Sequence, residues 1–208
     1  MTFSLPPSVE VRDRRVRRSR AALLRAAIEL VTERGTAAVP ISELAEAADV
    51  SRQVLYQQFG DRDALLLEAA LDLARRDLMP RLGDPAATVP GRARSLALAR
   101  HFAEYRGFYR AVMTGSTAFA LSRALEGLLV PFNRRLFHEA FGGTLDARTV
   151  DDLATYLTGG GHAFVYSWLI DGDDPLDPEE FADRLTRMVS VVVDALLARH
   201  AAGGEAVP

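Results

Sequence analysis

The chain has 208 residues, with 25 basic and 28 acidic side chains, a net charge of −3, 49% hydrophobic residues and no cysteine. That length holds one large domain or two small ones, and the composition is globular, which excludes a wholly disordered chain. The absence of cysteine excludes disulfides, thiolate metal sites and a cysteine nucleophile, and fits a reducing, cytoplasmic setting.

No uncharged apolar run approaches the ~20 residues that span a bilayer, and residues 1–10 lack the basic and apolar regions of a signal peptide. All 25 basic residues are arginine. Between Arg12 and Arg25, seven arginines face a single acid, Asp13. Residues 1–60 carry nine arginines and seven acids, net +2; residues 61–208 carry 16 arginines and 21 acids, net −5. A basic front on an acidic body suits a polyanion contact at one end, or a solvated charged start to a helix.

Residues 1–11 contain Pro6 and Pro7, lack periodicity and read as a flexible arm. A helical stripe follows, Leu23, Leu24, Ala27, Ile28, Leu30 and Val31, and Gly35 is placed to end it in a left-handed cap. A second, short helix spans Ile41–Ala48, with Pro40 at its start. Asp49-Val50 breaks the pattern, and Ser51 is an N-cap for a third helix from Arg52 to about Gln58. After Gly60, Asp61 caps a fourth helix running to about Leu78. Pro80 to Pro90 reads as a loop, and helices follow near 91–104, 106–113, 117–141, 147–171 and 178–200. No segment shows sustained β alternation. The fold class is all-α, with about nine helices.

Two short amphipathic helices joined by Ala48-Asp49-Val50-Ser51 have the length of a helix-turn-helix. Leu44, Ala45, Val50, Val54 and Leu55 supply its inward side. Outward lie Arg52, Gln53, Tyr56 and Gln57. Arginine pairs bidentately with guanine and glutamine with adenine, while a tyrosine hydroxyl suits phosphate. The N–H groups that open helices near Ile41 and Ser51 are further phosphate donors.

The stretch from Ile41 to Leu66 resembles the DNA-binding signature of the tetracycline-repressor (TetR) family, over roughly 45 residues from about Arg20 to Leu66. The resemblance implies an all-helical homodimer, with a three-helix DNA-binding head (12–67) and a larger effector-binding and dimerisation domain (68–208). Tyr56 then matches the phosphate-contacting tyrosine, Arg62 the phosphate-contacting base at the start of helix four, and Phe59 the core aromatic. Arg52 and Gln53 match the variable base-reading positions. Two departures stand out. Asp49 replaces the usual turn glycine, a change the backbone tolerates because aspartate accepts left-handed geometry. Pro40 replaces a capping hydroxyl and removes its phosphate contact.

The candidate DNA-binding set is therefore Ser51, Arg52, Gln53, Tyr56, Gln57 and Arg62, with Arg14, Arg15, Arg17 and Arg18 as a candidate basic arm. Candidate effector-pocket residues are Phe102, Tyr105, Phe108, Tyr109, Met113, Phe119, His162 and Trp168. Tyr105, His162 and Trp168 rank first for their polar tips. Leu153, Leu157, Val165, Val189, Val192 and Leu196 form apolar stripes that place a dimer interface on the last two long helices. Gly159-Gly160-Gly161 has no preceding strand and no phosphate-loop pattern, and reads as a place where helices approach closely. The four histidines show no metal-ligand spacing, and Asp171, Asp173, Asp174 and Asp177 lack calcium-loop spacing. No cofactor is expected. No nucleophile–base pair supports an enzyme. The expected function is a homodimeric, cytoplasmic repressor that binds a pseudo-palindromic double-stranded DNA operator and is released by a largely apolar small molecule. The alternative is a helical interaction module that has lost specific DNA binding.

Overall fold

The computed structural model describes residues 9–83 and 91–204, with side chains over 13–83 and 91–202. Every regular element among these is helical: α1 Val9–Arg34, α2 Ile41–Ala47, α3 Arg52–Phe59, α4 Arg62–Leu73, a π-helical turn Ala74–Leu78, α5 Met79–Leu82, α6 Arg92–Glu104, α7 Arg106–Met113, α8 Ala118–Phe141, α9 Ala147–Asp171 and α10 Pro178–Gly204.

The apolar stripe of α1 is buried as expected, with Leu23, Leu24, Ala27 and Val31 in the core, and Gly35 takes φ +64° to end the helix. The helix starts earlier than the stripe. Residues 9–11, read from sequence as part of an arm, are its first turn, while residues 1–8 lie outside the described part. Arginine is a good helix former, so the basic segment extends the helix without contributing an apolar face. Other ends follow local chemistry. Asp61 Oδ1 accepts from the Ala64 N–H at 2.7 Å, Asp146 Oδ1 from Thr149 at 3.0 Å, and Asp177 Oδ1 from Glu179 and Glu180 at 2.9 and 3.1 Å.

The predicted loop at Pro80 is a correction. Helix continues through it to Leu82. Pro80 has no N–H and its ring crowds the carbonyl four residues back, and the wider π-helical turn directly before it relieves that clash. Residues 62–82 thus form a nearly continuous rod.

One core runs from the N-terminal helices into the body. It joins Leu23, Ala27 and Val31 of α1 to Leu65, Leu66, Ala69 and Leu73 of α4, then to Phe102, Phe108, Tyr109, Leu121, Leu125 and Phe181. A second cluster, with Phe137, Phe141, Val150, Leu153 and Val193, sits between the other ends of α8, α9 and α10. Gly107 permits the seam of α7 on α1, because a Cβ there would stand 2.9 Å from Thr32 Cγ2. On the outside, Arg92 pairs with Glu179 and Asp183, and Arg100 with Glu179, tying α6 to α10.

A buried polar cluster joins rod and body. His101 Nε2 lies 2.9 Å from Tyr109 Oη, Tyr109 Oη donates to the Ala70 carbonyl at 3.4 Å, and Tyr105 donates to Asp77 at 2.9 Å. His101 is fully buried, and its Nδ1 has no hydrogen-bond partner among the described residues. Burial pushes its pKa down to about 4 and that of Tyr105 up to about 12. Burial pushes Asp77 up, but hydrogen bonds from Arg76 and Tyr105 outweigh it and the carboxyl ends below its usual range.

The folded state therefore keeps His101 neutral where the unfolded chain protonates it near pH 6.5. Stability is lost as pH falls from about 6.5 towards 4, by up to about 3 kcal/mol from this group alone. Between pH 7 and pH 5, urea unfolding of the wild type should lose about 2 kcal/mol more than that of His101→Asn. Equal losses would show that His101 is not the titrating group.

Candidate nucleic-acid interface and ligand cavity

The turn between α2 and α3 is closed by backbone hydrogen bonds from Asp49 to Glu46 (3.0 Å) and Val50 to Ala45 (3.0 Å). Asp49 adopts φ +52°, the only positive φ of a non-glycine residue among the described residues. Ser51 accepts from the Val54 N–H at 3.3 Å and starts α3. Leu44, Ala45 and Leu55 are buried, whereas Val50 and Val54 are half-buried. Nearly bare Ala45 beside the turn lets the axes of α2 and α3 approach. Gly60, at φ +84°, ends α3.

The outward face is as read from sequence. Arg52, Gln53 and Gln57 are exposed, and Tyr56 is 52% exposed. Gln58 points the other way and donates to Ser19 Oγ at 2.6 Å, tying α3 to α1. Arg62 is half-buried beside Pro40 and Ile41, around a shallow groove between the starts of α2 and α4. It donates to Asp63 at 3.1 Å, and Asp63 also accepts from Ser116 Oγ at 2.7 Å. The Ser116 hydrogen bond is the largest cause of the lowered Asp63 pKa, followed by burial in opposition and then by Arg62. Pro40 offers no side-chain cap to α2.

Arg14, Arg15, Arg17 and Arg18 are exposed, but on the first turns of α1 rather than on an extended arm. Arg20 is different. It pairs with Glu68 at 2.7 Å and lies 4.5 Å above the Phe59 ring, so it holds α1, α3 and α4 together. Its spacing from Phe59 and Glu68 carries no sequence signal.

The body holds a cavity of about 140 Å³, partly open to solvent, between α6, α8, α9 and α10, with Leu82 also in its lining. Of the eight expected pocket residues, Phe102 and His162 line it. The others do not. Phe108, Tyr109 and Met113 are core residues around α7. Tyr105 is directed to Asp77, Trp168 stacks on Phe181 at 4.1 Å, and Phe119 is 79% exposed. The missed lining includes Phe132, Asn133, Phe137, Leu157, Thr158 and Gly161, on the facing sides of α8 and α9.

The expected interface stripe also lies elsewhere. Leu153 and Val165 are buried in their own protomer, Leu157 and Val189 line the cavity, and Val192 and Leu196 are half-buried beside the second core cluster. The outward faces carry Tyr156, Gly160, Ala163 and Tyr166 on α9 and Met188, Val191 and Ala195 on α10. A Cβ at Gly159, Gly160 or Gly161 would meet nothing within 4 Å, so the triplet brings no helices together inside the protomer. Among the described residues no three His, Asp or Glu side chains gather as a metal site, and no helix is long and apolar enough to cross a membrane. The acidic loop is held by Arg106, which donates to the Gly172 and Asp173 carbonyls at 2.9 and 3.0 Å.

Residues 23–69, which contain this helix-turn-helix, match the bacterial regulatory proteins of the tetR family. The N-terminal domain is a TetR-family domain. The solved structures that share the fold over most of the chain include two regulators. One is a TetR-like transcriptional regulator from Rhodococcus sp. RHA1, at 19% identity over 93% of this chain and 98% of that one, TM-score 0.56. The other is the TetR family repressor AlkX from Dietzia sp. strain DQ12-45-1b, implicated in biodegradation of n-alkanes, at 21% identity over 85% and 95%, TM-score 0.54. No curated protein matches the chain. The TetR-type head followed by a larger helical domain thus extends over the whole described chain.

The strained turn offers a direct test. Asp49→Gly should raise stability by about 0.5–1 kcal/mol, because glycine takes positive φ without a Cβ clash. Asp49→Val should lower it by more than that. Chemical denaturation of the two variants checks the sign.

Proposed function

We propose that the chain is a DNA-binding transcriptional repressor that acts as a homodimer and is released by a small molecule bound in the cavity. The observation that carries the reading is the exposed α3 face, Arg52, Gln53, Tyr56 and Gln57, held rigidly by the Ser51 cap and the closed turn. Arg52 and Gln53 have base-reading chemistry. Tyr56 and Arg62 supply phosphate contacts that set register without reading sequence, and Arg62 must exchange Asp63 for phosphate to do so. Exposed Arg14, Arg15, Arg17 and Arg18 add phosphate contacts at the flank, presented by a helix.

One recognition helix supplies little specificity, whereas a two-fold dimer reads a pseudo-palindrome with half-sites about 34–36 Å apart or somewhat more. The exposed apolar face of α9 and α10 suits a second copy. Gly160 and Ala163 allow helices of two protomers to approach closely, flanked by Tyr156 (67% exposed) and Val191 (62% exposed). An effector that prefers the DNA-incompetent state lowers operator affinity through a coupling of typically about 1–3 kcal/mol. The rod of residues 62–82 connects head and cavity, since Leu82 lines the latter.

Footprinting upstream of the chain's own gene, at stated salt and with scrambled DNA as competitor, tests the DNA half. Protection of a pseudo-palindrome at least ~10³-fold tighter than scrambled DNA is the expected result. Tyr56→Phe should weaken all sequences alike, while Arg52→Ala or Gln53→Ala should relax preference at particular base pairs by about 1–3 kcal/mol. Unchanged preference in both would show that another face reads the bases. Gly160→Leu should yield a folded monomer by light scattering, because the added side chain meets open space in one protomer and a partner helix in the dimer. A dimer of wild-type strength would move the interface away from this face.

A further inference from the structure

We infer that the cavity takes a neutral, mainly apolar guest of roughly single-ring size that brings its own hydrogen-bond donor, a phenol- or alcohol-like molecule rather than a carboxylate or an amine. The inference rests on the proposed effector role only for its biological consequence; the chemistry comes from the lining.

Size comes first. A cavity of about 140 Å³ is close to the ~150 Å³ apolar cavity that admits benzene. Leu98, Phe102, Leu125, Leu129, Phe132 and Val165 give it largely apolar walls. Gly161 is part of this volume: it lies in the lining, and a Cβ there would meet nothing within 4 Å.

The polar groups are then few enough to account for proton by proton. Thr158 donates its single hydroxyl proton to the Ala154 carbonyl at 2.7 Å. Its oxygen can therefore only accept from Asn133, at 2.8 Å, which fixes the Asn133 amide with Nδ2 towards Thr158. Asn133 Oδ1 is left without a partner among the described residues. Ser122 donates to the Ala118 carbonyl at 3.1 Å, so the 3.3 Å contact with His162 Nε2 is an N–H from histidine to serine. The His162 Nδ1 lone pair is then the open valence. Burial lowers the His162 pKa and keeps the ring neutral. Thr186 Oγ1 donates to the Ala182 carbonyl at 2.7 Å and to Ser95 Oγ at 2.9 Å, sharing one proton between them.

Outside Arg94, the open valences are acceptors, Asn133 Oδ1 and His162 Nδ1. A guest O–H or N–H satisfies one of them, whereas a carboxylate brings only further acceptors. No Asp or Glu lines the cavity to balance an ammonium group. Arg94 also lines it and brings a full positive charge, with its Nε–H donated to the Leu82 carbonyl at 2.9 Å at the end of α5. An ammonium guest would lose its hydration without a matched counter-charge, and a carboxylate would set its charge against these lone pairs with Arg94 as its single counter-charge.

The test is titration calorimetry of the full chain, without DNA, against four matched probes: benzyl alcohol, toluene, benzoate and benzylamine. Benzyl alcohol should bind about tenfold tighter than toluene, as one net hydrogen bond allows, and both ions should bind more weakly than toluene. Asn133→Leu with His162→Phe should bring benzyl alcohol to the level of toluene while toluene itself still binds. Gly161→Leu, which fills the cavity, should abolish binding of all probes. Tightest binding of benzoate or benzylamine would overturn the neutral class. Equal binding of benzyl alcohol and toluene would overturn the donor requirement. Failure of every probe, or indifference to both sets of substitutions, would overturn the assignment of this cavity. Operator footprinting with the same probes separates the two readings. A preference that survives without operator release refutes only the effector role, and release by an ionised compound with no neutral preference refutes only the guest class.

Discussion

Everything else in the molecule hangs on the packing of the 62–82 rod. One part of α4, Leu65, Leu66 and Ala69, closes the core of the N-terminal helices against α1. Its continuation, Leu73, Ala74 and Leu78, is buried in the core of the body. The alanines at 69, 70 and 74 keep the rod thin enough to be covered from both sides. A rod whose two ends are packed into one continuous core cannot be displaced at one end without disturbing the other.

Polar groups sit within this core where the rod meets the body. The π-helical turn, Asp77, Tyr105 and the buried His101–Tyr109 pair all lie at the junction of rod and body. A solely apolar junction would tolerate many registers. Directional hydrogen bonds select one, at the cost of a buried histidine nitrogen without a partner. The neighbouring residue on α6, Phe102, lines the cavity, so the same helix turn touches both the guest space and the junction.

The local grammar of the chain was readable because it is written in short-range chemistry. The Ser51 and Asp61 caps, the stops at Gly35 and Gly60, and the left-handed Asp49 each depend on residues within a turn of one another. What could not be read depends on which side of a helix meets which neighbour. Tyr105, Phe108, Tyr109 and Met113 have pocket-like side chains, but α7 packs the last three into the core and Tyr105, just before it, reaches Asp77 of the rod. The leucine and valine stripes of α9 and α10 were assigned to a partner, yet the most apolar face of each is the one their own protomer covers. The exposed face of α9 is made largely of glycine, alanine and tyrosine, which apolar periodicity scores poorly, and that of α10 adds only Met188, Val191 and Ala195. The extension of α1 escaped for a similar reason, since an arginine-rich helix has no stripe at all.

The π-helical turn has a consequence for how this chain can vary. It holds one residue more than an α-helical turn would, accommodated without breaking the rod. Losing a single residue between Ala74 and Leu78 would let this turn close to α-helical geometry with the flanks of the rod nearly in register, whereas losing one from an α-helical part of the rod would rotate the N-terminal helices by about 100° about the rod axis and draw them about 1.5 Å closer to the body. Length in the α-helical parts of the rod therefore sets the dihedral angle between the α3 face and the cavity. Loops elsewhere can absorb an insertion or deletion, whereas here the residue count itself encodes orientation.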